Sequence, residues 1–216
     1  MSINEELEKL DQWASYLPKM GMKTLDGGDR PMYTLDLIII GAIKRSLSLA
    51  SGLNDLVKLK NMTCARAIVR MELDTISRLL AYTYVDEPFE MAKAIIGGKA
   101  LNSFKCRDGK KLRDGYLINK MTENHPWVKD VYKYTSGYVH FSERQVFDSI
   151  SSVCNDEDRT IIFQVSKEDH NFPEKSWIEI VACFNEMLSI LSDLLVTLRN
   201  KLEYDEVLQS TPNNTL

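Results

Sequence analysis

The chain has 216 residues, of which 44% are hydrophobic and 27% are charged, and this balance excludes an intrinsically disordered protein. The length suits one domain with a single large hydrophobic core. The formal net charge is −4, so no overall positive field would draw the chain to DNA or to an anionic membrane. The net charge does not exclude local basic patches.

The cysteines and the first residues indicate a cytoplasmic protein. The four cysteines are scattered and form no Cys-x-x-Cys pair, which is typical of reduced thiols rather than of a structural zinc site: Cys64, Cys106, Cys154 and Cys183. Residues 1–10 are acidic and lack the apolar core of a signal peptide. No uninterrupted apolar run approaches the ~20 residues of a transmembrane helix. We therefore expect no membrane contact, no metal and no cofactor.

The first part of the chain predicts three helices. Residues 3–16 have the spacing of an amphipathic helix, and the Leu-Pro pair at 17–18 should end it. Residues 21–31 contain an Asp-Gly-Gly-Asp sequence and predict a loop. Long helices should follow over 33–58 and 62–84. Because the connection between these two is short, we expect them to be antiparallel neighbours.

The second part of the chain predicts shorter helices, a hairpin and one long helix. Helices are expected over 88–96, around 111–123 and over 126–139, the last with a proline at its first position. Residues 145–166 change to β-branched, alternating sequence around a turn cluster, which predicts a β-hairpin. A continuous apolar stripe predicts a final helix over 173–208.

These elements predict a mainly α-helical fold, an antiparallel bundle of long helices with one inserted β-hairpin. Residues 1–208 should form a single domain, and residues 209–216 a disordered tail. Two strands alone are only marginally stable in water. The hairpin must therefore lie on the bundle or pair with another chain.

One acidic residue lies within the apolar face of the third helix. Glu72 shares this face with a set of mostly apolar residues: Ala65, Ile68, Val69, Ile76, Leu79, Leu80 and Thr83. A carboxylate in such a place is costly unless it is paired or protonated. Arg66 and Arg70 flank the face one turn apart, and Lys44 and Arg45 lie on the second helix. We expect a buried polar cluster around Glu72.

The candidate catalytic residues combine this cluster with the segment around His140. His140 would act as general acid or base, because imidazole titrates near neutral pH. Ser136 lies one turn before it on the same helix face. Arg66 or Arg70 would stabilise a phosphate or a developing anion. Glu72 would orient His140 or hold an arginine.

The same residues also allow a purely structural interpretation. Glu72 would then form a buried salt bridge with a neighbouring helix, as helical bundles often contain one such cluster. His140 would cap the end of its helix, and the Ser136 hydroxyl would bond back to a carbonyl oxygen of its own helix. The sequence leaves both interpretations open.

Two signatures resemble those of uncharacterised bacterial helical proteins, A-R-A-I-V-R-M-E-L-D at 65–74 and Y-x-x-x-S-x-Y-V-H-F-S at 132–142. Those families are similar to the HEPN group (higher eukaryotes and prokaryotes nucleotide-binding domain). The resemblance implies a helical bundle, often dimeric, and for many members a ribonuclease of a toxin or antiviral-defence system. The HEPN catalytic motif is Arg-x4-6-His, and here no arginine lies among the seven residues before His140.

Three functions follow as hypotheses. The first is a non-catalytic cytoplasmic helical module for homodimerisation or partner binding, within a bacterial stress or antiviral-defence system. The second is a metal-independent HEPN-like endoribonuclease, in which His140 acts with Arg66 or Arg70 on RNA or a nucleotide and the basic residues between 105 and 113 contact the substrate. The third is a small-molecule binder with a pocket near Glu72.

Overall fold

The computed structural model describes residues 2–25, 32–153 and 160–210. The described residues are mainly α-helical with one two-stranded antiparallel hairpin, which confirms the predicted fold class. The helices and strands are α1 Ile3–Leu25, α2 Thr34–Lys58, α3 Met62–Leu80, α4 Pro88–Ile96, α5 Asp114–Asn124, α6 Val128–Val139, α7 Glu143–Asp148, β1 Ile150–Val153, β2 Ile161–Phe163 and α8 Glu174–Ser210. Single 3-10 turns, Ala81–Thr83 and Leu101–Ser103, follow α3 and α4.

The central helix of the bundle is α3, which packs against α2, α5, α6 and α8. Its antiparallel relation to α2 is visible in the side-chain pairing. Ser46 contacts Glu72, whereas Gly52, farther along α2, lies beside Ile68, which is earlier in α3. The short connection over 59–61 therefore reverses the chain, as its length predicted.

The helix α1 continues through Pro18 to Leu25, so the prediction that residues 17–18 end it is wrong. A proline inside a helix removes one backbone hydrogen bond. Packing outweighs this loss, because Leu17 is fully buried and Gly21 lies directly against Ile43. The predicted loop therefore begins at residue 26, and residues 26–31 lie outside the described part of the chain.

The hairpin is shorter than predicted, because the start of the 145–166 segment is helical. Ser142 and Gln145 form a capping box: the Ser142 hydroxyl accepts a backbone N–H of the first turn, and the Gln145 side chain accepts the backbone N–H of Ser142 at 2.8 Å. This cap begins α7 and overrides the β-branched sequence. The strands pair with Val153 opposite Ile161. The predicted turn over 154–158 lies outside the described residues.

The last helix, α8, is long, and one side of it is buried between Trp177 and Leu198. Among the described residues, Glu174–Asn200 is the one helical stretch that is long and apolar enough to cross a membrane. Half of its most apolar part is buried inside the protein. This stretch holds no uninterrupted apolar run of about 20 residues, because Glu179, Glu186 and Asp193 interrupt it. A core helix passes the same test. Two residues of the predicted tail 209–216 belong to α8, and 211–216 are not described.

Candidate functional site

Glu72 is fully buried between α3 and α2. The Ser46 hydroxyl donates a hydrogen bond of 2.7 Å to Glu72 Oε1, and no described residue hydrogen-bonds Oε2. Burial raises the pKa of Glu72 to about 7, against the opposing effects of the Ser46 hydrogen bond and the Arg45 charge. The carboxyl group is therefore partly protonated at neutral pH.

The predicted pairing of Glu72 with Arg66, Arg70 or His140 is wrong, because its hydrogen bond goes to Ser46 on α2. Helical geometry explains the difference. Glu72 lies two residues beyond Arg70, which is about 200° around the helix. The two arginines therefore face α6, whereas Glu72 faces α2.

Arg66 is enclosed by aromatic rings and paired with Asp148. Its Nη1 lies 2.7 Å from Asp148 Oδ2 and donates to the Tyr138 hydroxyl at 2.6 Å. The guanidinium carbon lies 4.5 Å from the Tyr138 ring centre and 4.6 Å from that of Phe172. Arg66 is only 6% exposed. It therefore joins α3 to α6, α7 and the segment before α8.

Three of the five predicted site residues line one open cavity, here called the His140 cavity. His140, Ser136 and Arg70 border this space of about 490 Å3, which α2 also borders through Arg45. His140 is exposed at the end of α6, and no described residue hydrogen-bonds or ion-pairs with its ring. Arg66 and Glu72 do not line the cavity.

The other contacts of the His140 cavity are mixed in charge. Ser136 donates to the Tyr132 carbonyl at 2.6 Å, the bond that the structural interpretation predicts. The Arg70 guanidinium carbon lies 4.4 Å from the Tyr132 ring centre. Asp74 and Asp114 also line the space, so positive and negative side chains oppose each other there.

Exposed apolar side chains follow one another along the chain from the end of α6 through α7 to both strands. We call this set the hairpin surface and define it by eight exposed side chains: Phe141, Val146, Phe147, Val153, Ile161, Ile162, Phe163 and Val165. Phe141 is 87% exposed and Val165 is 92% exposed. The three residues of β2 are 48–57% exposed although successive side chains point to opposite faces. Both faces of β2 are therefore uncovered.

Sequence reasoning missed Ser46 and Asp148, the partners of Glu72 and Arg66. Ser46 lies on the inner face of α2, where a small polar residue between apolar neighbours was the available signal. Asp148 was assigned to a strand, which concealed that it ends α7 facing Arg66.

Comparison with models of protein families, with curated proteins and with solved structures found no match. Among the described residues, no three His, Cys, Asp or Glu side chains converge in the way that a metal ion requires. Two features of the described residues therefore bear on function, the His140 cavity and the hairpin surface.

Proposed function

We propose that the protein is a non-catalytic homodimerisation module, in which the hairpin surface binds the same surface of a second copy. The observation that carries this proposal is the exposure of both faces of β2 together with the side chains of α7. An isolated two-stranded hairpin is only marginally stable in water. Binding to a partner would therefore stabilise this hairpin. A cytoplasmic location, which the scattered cysteines favour, and a role in bacterial stress or antiviral defence, which the sequence resemblance implies, are part of the same proposal.

The apolar area of the hairpin surface is in the range that a dimer interface uses. A phenylalanine carries roughly 150–250 Å2 of side-chain surface, and the three here are between 57% and 87% exposed. With five aliphatic side chains, the surface leaves several hundred Å2 of apolar area in water. A standard interface buries about 800 Å2 from each partner. The largest apolar patch of a typical monomer covers about 300–600 Å2 and is often functional.

The edge of the hairpin also suits a second copy. The sheet contains β1 and β2 alone, so each strand has one edge without a partner strand among the described residues. Pairing of β2 with β2 of the second copy across a two-fold axis would form a four-stranded antiparallel sheet. An interface of this kind uses the same elements of both copies.

The base of the hairpin surface is fixed to the bundle, so that the surface is presented in a defined place. Asp148, at the end of α7, is held by Arg66, and its backbone carbonyl accepts a bond of 3.3 Å from Asn171. Gln145 donates to the Gly137 carbonyl at 2.7 Å. These contacts reduce the ordering cost of association.

Molar mass in solution tests the proposal. Light scattering after size-exclusion chromatography should give a dimer for the wild type and monomers for Phe147→Asp and Ile162→Asp, because a buried unpaired carboxylate opposes association. Ile96→Asp is the matched control, since Ile96 is an exposed apolar residue on α4. A wild type that is monomeric at millimolar concentration, or dimers in all variants, would overturn the proposal.

A second candidate function, a metal-independent endoribonuclease, is supported by the His140 cavity. Its exposed imidazole shares the space with Arg70, so a base and a phosphate-binding cation lie on one cavity. Asp74 and Asp114 would repel a phosphate there, which favours the first function. Growth of bacteria expressing the wild type, His140→Ala and His170→Ala tests it, and equal growth of all three would exclude cleavage.

A further inference from the structure

We propose that a cavity between α2, α3 and α4 binds a small apolar monocarboxylate, with its carboxylate group on Arg45. This α2–α4 cavity has a volume of about 380 Å3, within the range of roughly 300–1,000 Å3 found for ligand sites. At about 30 Å3 for each water-sized group, it has room for roughly a dozen non-hydrogen atoms. The inference goes beyond the proposed function, which does not use this cavity.

The walls of the α2–α4 cavity are mostly apolar. They come from α2, α3, α4 and the 3-10 turn after α4, with the side chains of Ile38, Ala42, Leu79, Ile95 and Leu101. Apolar walls of this kind favour a ligand whose body is a hydrocarbon chain or ring, since its entry removes apolar surface from water.

A glycine keeps one side of the cavity open. Gly41 lies in the interior of α2, is exposed, and lines the cavity. A Cβ atom added there would meet no atom within 4 Å, so close packing does not require the glycine. Glycine is less favourable than alanine in a helix interior. Space for a ligand explains its presence where packing does not.

Arg45 is the charged residue of the cavity that has no ion-pair partner among the described residues. Arg45 Nε donates to Thr75 Oγ1 at 2.9 Å, and no carboxylate of the described residues lies within ion-pair distance of Arg45. This single bond holds the guanidinium group and leaves its two terminal nitrogens for a ligand. Arg78, by contrast, pairs with Asp74 at 2.8 Å. A single anionic group therefore complements the cavity, and a carboxylate fits the arginine fork.

Tyr82 adds a neutral polar group to the wall of the cavity. Burial raises the pKa of Tyr82 to about 12, so its hydroxyl stays protonated and adds no negative charge that would repel an anion. No described residue hydrogen-bonds this hydroxyl. We include this hydroxyl in the proposed site as a donor to the ligand.

Isothermal titration calorimetry with sodium octanoate tests the proposal. Gly41→Leu should weaken octanoate binding at least about tenfold, because its side chain fills the cavity. Gly115→Leu is the matched control, since Gly115 is also a helical glycine with open space around it but does not line the cavity. A wild type that does not bind octanoate at millimolar concentration, or unchanged binding by Gly41→Leu, would overturn the proposal.

The role of the charge is tested with 1-octanol, which has the same chain without the carboxylate. Arg45→Gln should weaken octanoate about tenfold and leave 1-octanol unchanged. Equal loss of both ligands would overturn the role of Arg45. Ile162→Asp, on the hairpin surface, should bind octanoate as the wild type does. If that variant alone lost binding, octanoate would lie on the hairpin surface and the cavity proposal would fail, whatever the oligomeric state.

Discussion

Ser46 donates its hydroxyl to Glu72 in the interior between α2 and α3, and the second oxygen of that carboxyl group has no hydrogen bond from the described residues. Glu72 is thus held by a neutral donor rather than by an ion pair. A half-satisfied carboxyl in an apolar seam is stable when it carries a proton. Protonation of Glu72 therefore couples to the stability of the whole bundle.

Stability should fall as the pH rises through the range in which Glu72 ionises. Its pKa is about 7 in the native state and 4.5 ordinarily, so the native state binds the proton more tightly than the unfolded state. The stabilisation is complete below about pH 4.5 and is lost as the pH rises through about 7, by up to about 3 kcal/mol. Glu72→Gln should remove this dependence, measured by urea unfolding at about pH 4 and about pH 8.

The exposed Glu90 on α4 gives the control for this experiment. Glu90→Gln should keep the pH dependence of the wild type, because this exposed carboxyl lies outside the interior between α2 and α3. If Glu72→Gln also kept it, Glu72 would not be the coupled group.

Glu72→Ala should destabilise the bundle more than Glu72→Gln does. The glutamine carbonyl can still accept from Ser46, whereas alanine leaves the buried hydroxyl without this partner and opens a cavity, at about 2–4 kcal/mol. Thermal melting at about pH 5, where the buried carboxyl of the wild type still carries its proton, compares both variants with the wild type. Equal melting temperatures for the alanine variant and the wild type would show that Glu72 is not buried.

Removal of Asp148 should destabilise the protein through Arg66. Asp148→Ala leaves a buried guanidinium without its carboxylate, which costs about 2–4 kcal/mol in urea unfolding. Arg66→Lys should not be tolerated as a conservative change, because lysine cannot stack on Tyr138 and Phe172 in the same way. Asp130→Ala, at an exposed position of α6, should change stability little, and a similar loss there would contradict a specific role for the pair.

Gly41→Ala should stabilise the protein by about 0.5–1 kcal/mol, because the helix interior favours alanine and the added Cβ meets no atom. Urea unfolding measures the change. A loss of stability would mean that the fold itself requires the glycine, and the inference about the α2–α4 cavity would lose one of its supports.

The long helices could be predicted from sequence because their apolar periodicity is strong. Local signals failed where packing decided the outcome. Pro18 has the chemistry of a helix breaker, yet burial of Leu17 carries α1 past it. Residues 145–148 have β-branched neighbours, yet the cap at Ser142 makes them helical. A weak local preference gave way to a tertiary contact in the first case and to a specific hydrogen-bond pattern in the second.

The candidate site could be predicted only in part. The burial of Glu72 follows from its place in the apolar face of α3, but its partner depends on which helix that face meets. Periodicity alone could not distinguish Ser46 from the arginines. The sequence predicts that His140 and Arg70 share one site, and both line the His140 cavity. The burial of Arg66 among aromatic rings could not be predicted, because it depends on Phe172, more than a hundred residues later in the chain.

Hydrogen exchange at two protein concentrations tests the central claim most directly, because it reports both association and its location. In a dimer joined through the hairpin surface, the outer-edge amides of β2 and the amides of α7 should exchange more slowly at high concentration, while those of α4 should not change. Phe147→Asp should abolish the difference. Exchange in 143–165 that is independent of concentration, with a protein that is nevertheless dimeric, would place the interface elsewhere and contradict the account.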